Sequence, residues 1–344
     1  MCPKTTRLND AVEMVTEPVM RAGKSCEHIM ALHLDPRGDG ILGVVRCIVN
    51  RTGSVGVSGF VDRSQIHVVD MESLYEAKRG PELDIHGTED VVSTLADDSA
   101  NDFLGLEDPN IWCERGDETL HLYFTIAFVE RYSGDTCVYL GHAEGKDVYS
   151  LTMTEPVLAP VSGVHGGAKE VAIAPEAADG NRYNLVESND AIDGTSYSVL
   201  RTAVAPDLSA PWEYGELVFH PAYDGYDWCA GHVSPGPFLP RNFVDVGENR
   251  AVGILNGREA NRVVDGEITY GRFSIGLMVY DYENGAVEWI SEEPFIRDPD
   301  ARTITFASAF LHTEANRGVI YAHVDDSYVR TYLVDADSLL SYLP

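Results

Sequence analysis

The sequence predicts an all-β chain whose strands form the blades of a propeller. Short runs of β-branched and aromatic residues recur along all 344 residues, each bounded by Gly, Pro, Asp or Asn. Long segments with apolar residues at helical spacing are missing. A sandwich or a jelly roll stays open, because no strict repeat is visible. At least twelve such runs without a Pro- or Ser-rich linker nevertheless favour four-stranded blades around an axis.

The predicted elements follow one another at short intervals. The strands are expected at 41–49, 54–60, 65–70, 119–128, 136–143, 182–187, 196–204, 251–256, 272–280, 302–312, 319–324 and 328–334. Helical spacing is sufficient for short helices at 9–22, 74–78 and 90–96. We expect one domain over residues 1–344, with 1–40 as an N-terminal extension that packs on the propeller.

The chain is strongly acidic. It has 55 Asp and Glu against 25 Lys and Arg, which gives a formal net charge of −30 at pH 7. So much like charge destabilises a compact chain in dilute buffer, whereas molar salt reduces the Debye length to roughly 3 Å. We therefore expect a halophilic source. The same charge argues against nucleic acid or an anionic membrane as a partner.

Six cysteines are present without C-x-x-C spacing, mostly inside apolar runs: Cys2, Cys26, Cys47, Cys113, Cys137 and Cys229. This pattern favours buried free thiols over zinc ligands or disulfides. The first 34 residues contain no apolar signal-peptide core, and no window approaches the ~18 apolar residues of a membrane span. We therefore expect a cytoplasmic protein.

The segment Gly105–Trp112 places two acids beside a proline immediately before an apolar strand. Pro109 has a restricted φ and biases Asp108 toward an extended conformation. Glu107 and Asp108 are therefore expected to be held rigidly at the mouth of a sheet. Asp-Pro is also a common turn dipeptide, so a simple strand-initiating corner is the plain alternative. Positioned carboxyl groups are what glycosidic bond cleavage requires.

This corner, together with the strand Cys137–Ala143, resembles a blade of the five-bladed propeller glycosidases of family 130, the β-mannoside phosphorylases and related hydrolases. The resemblance covers roughly residues 41–340 at low identity. It implies a five-bladed β-propeller whose central funnel binds an oligosaccharide substrate. It also implies action on β-mannosides or related glycans.

The resemblance carries over to individual residues. Asp108 stands at the position of the family's essential aspartate, the proton donor, which acts through a hydroxyl of the bound mannose, and Glu107 precedes it. Arg46 and Arg63 match arginines of the first blade, although Arg63 is equally well explained as a surface residue paired with its neighbour. Asp326 takes the place of a sugar-binding aspartate in the closing blade, where twin aspartates are more often a capped turn.

Two departures from the family concern phosphate. Glu187 and Ser188 stand where the phosphorylases have a His-Arg pair that grips phosphate, and Asn110 replaces an arginine. A carboxylate at that position repels phosphate but can act as a general base on water. The resemblance therefore favours hydrolysis over phosphorolysis, with Glu187 or Glu170 as the candidate base.

Two further residues are expected to bind substrate. Lys169 precedes Glu170 in a segment similar to the family's KNAALFPE segment, and His232 lies in a loop similar to the family's Gly- and Pro-rich loop. A lone histidine beside a tryptophan is, however, as often structural.

Other functions stay open or find no motif. A non-catalytic carbohydrate-binding propeller and a phosphorylase with a rearranged phosphate site are the two alternatives, since folds outlive functions. The sequence has no Gly-rich phosphate loop, no GxSxG, no HExxH and no histidine pair at metal spacing. We therefore expect no cofactor and no metal. A homo-oligomer is left open.

Overall fold

The computed structural model describes residues 3–37, 42–53, 60–96, 101–114, 116–161, 167–209, 211–264 and 267–344. Almost all of its regular structure is β, so the all-β prediction is confirmed. Residues 54–59 of one predicted strand and Ile41 of another lie outside the described residues. No helix within the described ranges is long and apolar enough to cross a membrane.

The strands are mostly 7 to 13 residues long within the central part of the chain. The strands of the N-terminal half are β1 (Thr5–Arg7), β2 (Val12–Val15), β3 (Met20–Arg21), β4 (His28–Leu34), β5 (Leu42–Thr52), β6 (Val61–Ser73), β7 (Glu76–Glu82), β8 (Asn101–Trp112), β9 (Leu120–Glu130), β10 (Thr136–Gly145) and β11 (Thr152–Met153).

The second half continues the same pattern, with few helical residues. Its strands are β12 (Lys169–Ala172), β13 (Arg182–Ile192), β14 (Thr195–Ala205), β15 (Glu213–Phe219), β16 (His232–Phe238), β17 (Arg250–Arg258), β18 (Arg262–Val264), β19 (Glu267–Thr269), β20 (Phe273–Asp281), β21 (Ala286–Ile290), β22 (Thr305–Glu314), β23 (Arg317–Val324) and β24 (Tyr328–Asp335). The helices are α1 (Thr88–Leu95), α2 (Pro221–Asp224) and α3 (Ala336–Leu339), with 3₁₀ turns at Asp227–Cys229 and Leu340–Tyr342.

Antiparallel pairing arranges these strands in successive groups of four. The groups are β4 to β7, β8 to β11, β12 to β15, then β16, β17, β20 and β21, and finally β22, β23, β24 and β2. One parallel bridge, between Ser64 and Gly105, joins the first group to the second. A similar bridge between Ser198 and His232 joins the third to the fourth. The first strands β4, β8, β12, β16 and β22 contact one another in this order, and β22 contacts β4.

The hydrophobic cores lie between neighbouring groups. Among the described residues, one cluster packs Val44 and Ile66 of the first group against Phe124 of the second. Corresponding clusters join the second group to the third, the third to the fourth and the fourth to the fifth. A further cluster packs Ile29 of the first group against Tyr321 of the fifth. The interfaces between the groups therefore form a closed series.

The helix predicted over 9–22 is wrong. Residues 12–15 instead form β2, which pairs with β24 at Val12 and Val334 and completes the fifth group. Val12 and Met14 are buried while Glu13 between them is exposed, which is strand alternation. The free edge of β24 therefore decides the conformation of this segment. The expected extension 1–40 also supplies β4, the first strand of the first group.

The other two predicted helices had different outcomes. The helix expected over 90–96 is confirmed as α1. The segment 74–78 is not helical, because it is a turn that leads into β7, and the helix prediction there is wrong.

The expectation of free thiols is wrong for two cysteines. Cys26 and Cys47 are joined by a disulfide, with their Cα atoms 5.4 Å apart. Pairing of β4 with β5 sets Ile29 opposite Cys47 and so brings the turn residue Cys26 alongside. This proximity arises from strand pairing and leaves no spacing motif in the sequence. Cys113, Cys137 and Cys229 are free, and Cys2 lies outside the described residues.

Candidate active site

A buried arginine on β5 binds the Glu-Asp pair of β8. Arg46 donates from Nη1 to Asp108 Oδ1 at 2.6 Å and from Nη2 to Glu107 Oε1 at 2.7 Å. Its Nε donates to Ser64 Oγ at 3.0 Å, and this hydroxyl donates to Glu107. Burial disfavours the charge on Arg46, but the two carboxylates outweigh burial and raise its pKa. Burial also raises the pKa of Glu107, against the effect of Arg46.

A bulge in β8 explains how two consecutive acids reach the same arginine. In a regular strand, neighbouring side chains point to opposite faces. The ladder between β8 and β9 shifts register between Glu107 and Asn110, and Asp108 has a φ of 48°. The extended conformation predicted for Asp108 is therefore wrong, because the bulge overrides the bias from Pro109 and turns both carboxyl groups inward.

A second arginine extends the network to the closing group of strands. Arg51 binds both carboxylate oxygens of Asp62, at 2.6 and 2.8 Å, and donates to Asp326 Oδ2 at 3.1 Å. Asp62 lies 4.0 Å from Arg46, so the ion pairs run continuously from Asp108 to Asp326. Asp326 also lies 3.6 Å from His323 Nε2. Asp108 and Asp326 therefore belong to one cluster.

Arg63 is not part of this cluster. Its side chain is exposed and donates to the carbonyl of Phe103 at 3.1 Å. Asp62 and Ser64, on either side of it in β6, are buried and face the cluster. Alternation along the strand therefore turns Arg63 outward, and Arg51 provides the cationic group in its place. The polar residues Asp62 and Ser64, two apart in the sequence, were the signal that the opposite face of β6 points into the site.

Glu187 forms the second half of the site on β13. Its Oε2 lies 3.3 Å from Nε2 of His232, although this nitrogen is outside hydrogen-bond geometry. Burial would raise the pKa of Glu187, but His232 and Lys169 outweigh burial and lower it to about 2. Glu187 is therefore a carboxylate throughout the neutral range.

Glu170 has the opposite environment. It lies at a register shift between Lys169 and Val171 in β12, with a φ of 46°. Its carboxyl group makes no hydrogen bond or ion pair with any described residue. Burial, followed by the negative charges of Asp108 and Glu187, holds its pKa well above the usual range. Glu170 therefore favours the protonated form.

Lys169 interacts electrostatically with the Glu107–Asp108 pair and with Glu187. Its backbone is opposite that of Glu187 in the ladder between β12 and β13. Burial opposes its charge, but Glu107, Glu187 and Asp108 raise its pKa. No carboxylate in the described part of the chain lies within 4 Å of its ammonium group. The ammonium therefore lies near three acids without an ion pair to any of them.

The structure brings most of the predicted residues together. The residues in or beside the cluster are Arg46, Glu107, Asp108, Lys169, Glu170, Glu187, His232 and Asp326. The residues that sequence reasoning missed are Arg51, Asp62, Ser64 and His323. Asn110 donates to the carbonyl of Val171 at 2.8 Å, so its amide is engaged between β8 and β12.

Comparison of sequences gave no relative. No protein-family model matches the chain, and no curated protein matches it.

Comparison of structures gave many matches. A candidate glycosidase from Bacteroides thetaiotaomicron is 14% identical, with a TM-score of 0.66 and 96% of each chain covered. The β-1,2-mannobiose phosphorylase of Listeria innocua is 14% identical, with a TM-score of 0.57 and coverage of 98% of this chain and 94% of that one.

The third is a mannose phosphorylase from Leishmania mexicana that was solved with a phosphate ion. It is 13% identical, with a TM-score of 0.55 and coverage of 93% of this chain and 88% of that one. At these identities the likeness establishes a common fold, which extends over nearly the whole of this chain.

Proposed function

We propose that the five groups of strands are the blades of a β-propeller and that the chain is a glycosidase that hydrolyses β-mannosides or related glycans. The main support is the pair Glu187 and Glu170, two acids on neighbouring strands with opposite protonation preferences. Environments that shift two carboxyl pKa values apart are typical of glycosidases, which need one acid and one base. The similar solved structures include a β-1,2-mannobiose phosphorylase.

Glu187 is the proposed base. It is ionised, and Nε2 of His232 lies 3.3 Å from its Oε2. In an inverting hydrolysis such a carboxylate takes a proton from water as the water attacks the anomeric carbon. The bond from that carbon to the leaving oxygen then breaks, and the leaving oxygen needs a proton.

Glu170 is the proposed source of that proton. Asp108, the donor implied by the family resemblance, accepts a hydrogen bond from the Arg46 guanidinium at 2.6 Å, whereas Glu170 has a raised pKa. A general acid must hold a proton at the working pH. We therefore assign the proton to Glu170, and to Asp108 the role of orienting sugar hydroxyls with Glu107, Lys169 and Asp326.

The charge of the site argues for water over phosphate as the acceptor. The cluster contains six carboxyl groups, on Asp62, Glu107, Asp108, Glu170, Glu187 and Asp326, against the cations Arg46, Arg51, Lys169 and Arg258. Even without Glu170, the five other acids outnumber the four cations. A phosphate anion would add to this excess.

The test is product analysis with β-1,2-mannobiose in molar KCl, with and without phosphate. We expect mannose alone, at a rate that phosphate does not change. Strict dependence on phosphate and release of mannose 1-phosphate would contradict the hydrolase assignment. Binding without turnover would instead favour the carbohydrate-binding alternative.

Variants separate the acid from the base. Glu170→Gln and Glu187→Gln should each lower turnover of mannobiose by ~10²-fold or more, as for loss of a general acid or base. An aryl β-mannoside with a nitrophenolate leaving group needs no protonation, so Glu170→Gln should recover most activity on it while Glu187→Gln does not. If Asp108→Asn is the variant rescued in this way, Asp108 is the donor.

A further inference from the structure

Two histidines and a glutamate lie together on one face of the second group of strands, away from the proposed active site. His121 on β9 is directly opposite Glu144 on β10, and His142 precedes Glu144 by two residues. Alternation therefore directs all three side chains to the same face. One ligand atom from each lies within 4.8 Å of the other two. No spacing motif in the sequence marks this group, because strand pairing brings these residues together.

The hydrogen bonds of His142 orient its ring. Its Nδ1 lies 2.8 Å from Thr154 Oγ1, and this hydroxyl also lies 3.2 and 3.0 Å from the carbonyls of His142 and Glu155. A threonine hydroxyl has one proton, and donating it to a carbonyl leaves the oxygen to accept from His142 Nδ1–H. The lone pair of His142 Nε2 then points at His121.

The two imidazoles face one another through nitrogen atoms. His121 Nδ1 lies 3.0 Å from His142 Nε2. If His121 has its proton on Nδ1, it donates to His142 Nε2; if it has its proton on Nε2, the two lone pairs face one another and can both bind one metal ion. A hydrogen bond from the far ring nitrogen, here to Thr154, is the usual device that orients a metal-binding histidine.

Two of the three side chains line surface cavities. Glu144 lines a surface cavity of about 920 Å³, and His121 lines a second cavity of about 390 Å³. Both histidines are buried, whereas Glu144 is exposed. The charged residues lining these cavities are Asp117, Glu118, Glu144, Lys146, Glu176, Arg182 and Asp207. Acids are in excess, and Arg182 is already bound to Glu114.

We propose that His121, His142 and Glu144 bind one divalent transition-metal ion, for which Zn²⁺ is the best match. Two imidazole nitrogens and one carboxylate form a ligand set that suits Zn²⁺ and leaves a position for water. Ca²⁺ and Mg²⁺ prefer ligand sets built from oxygen. The site shares no residue with the acidic cluster and does not depend on the proposed glycosidase activity.

The test is metal binding by tag-free protein that has been treated with a chelator and then dialysed. After incubation with excess Zn²⁺ and gel filtration, elemental analysis should find one Zn²⁺ per chain, and the melting temperature should rise. Co²⁺ should give the visible absorption of a site with nitrogen ligands. Substoichiometric Zn²⁺ with an unchanged melting temperature would overturn the proposal and leave the histidines as a proton-sharing pair.

The variants for this test leave both buried histidines in place, so that a loss of folding does not obscure the result. Glu144→Gln should weaken Zn²⁺ binding ~10-fold or more, and Thr154→Val should weaken it by ~10–100-fold, as for other groups that orient metal ligands. Glu118→Gln is the matched control, since Glu118 is an exposed acid of the same cavity outside the three ligands. Equal affinity in Glu144→Gln, Thr154→Val and Glu118→Gln would show that Zn²⁺ binds elsewhere.

Discussion

Left-handed backbone conformations distinguish three acids of the proposed active site. Asp108, Glu170 and Asp326 have φ angles of 48°, 46° and 53°. This conformation costs a non-glycine residue roughly 1–2 kcal/mol. At each of these residues, the left-handed backbone points the carboxyl group in a direction that a regular strand would not give it. Strain of this kind persists where the surrounding structure enforces it, often at functional sites.

Glu170 and Glu187 should affect stability with opposite pH dependence. The pKa of Glu170 is raised on folding, so the folded state holds its proton above pH 4.5, where the unfolded state has released it. Wild-type stability should therefore fall relative to Glu170→Gln as pH rises above 4.5, by up to about 1.4 kcal/mol per pH unit. Chemical denaturation of both proteins across pH measures this difference.

Glu187 gives the reverse sign. Its pKa falls from 4.5 to about 2 on folding, so its contribution to stability is complete above pH 4.5 and is lost as pH falls toward 2. The advantage of wild type over Glu187→Gln should therefore shrink in acid. Glu248→Gln, at an exposed position, controls for general effects of pH. Parallel curves for the two active-site variants would contradict the assigned protonation states.

At the scale of elements, the junction between the first two groups of strands supports the site. Gly105 of β8 pairs in parallel with Ser64 of β6, whose hydroxyl binds both Arg46 and Glu107. Gly105 has a φ of 128°, and a Cβ atom there would lie 2.0 Å from the carbonyl oxygen of Ser64. The close approach that positions Ser64 therefore requires glycine.

Gly105→Ala should be strongly destabilising. The clash is with backbone, so the strands must separate, and we expect a loss of at least about 2 kcal/mol of unfolding free energy. Gly134→Ala is the matched control, because Gly134 has a φ of 77° and a Cβ atom there would meet nothing within 4 Å. Its cost should be limited to the backbone term of roughly 1 kcal/mol. Denaturant titration should separate the two variants, and equal losses would show that the junction tolerates a side chain.

At the scale of the whole molecule, the dominant property is the formal net charge of −30. Most acids lie at the surface, where their repulsion is screened only by dissolved ions. Even the proposed active site has more acids than bases. Repulsion of this kind acts on the folded state as a whole and not on any single pair of residues.

Lowering the salt concentration should therefore destabilise the protein. We expect the melting temperature to fall steadily from about 3 M KCl to about 0.1 M, where the Debye length grows from below 3 Å to about 10 Å. Sucrose at matched osmolality is the control, because it stabilises compact states without screening charge. A melting temperature that stays flat or rises on dilution of KCl would refute the expectation of a halophilic protein.

The sequence by itself determined the class of fold and much of the site. Strand periodicity and Gly, Pro, Asp and Asn boundaries are local signals, so strands such as β9 and β13 were predictable. The Glu107-Asp108-Pro109 corner and the segment around Lys169 were also visible, because they carry short motifs. Composition determined the net charge in the same direct way.

Tertiary structure alone decided how these pieces meet. Strand alternation turned Arg63 outward and brought in Arg51, while bulges redirected Asp108 and Glu170. Strand pairing joined Cys26 to Cys47 and set His121 beside His142. Burial and neighbouring charges, which no local pattern encodes, separated the protonation of Glu170 from that of Glu187. The physical reason is common to all of them: register and burial depend on residues that are far apart in the chain.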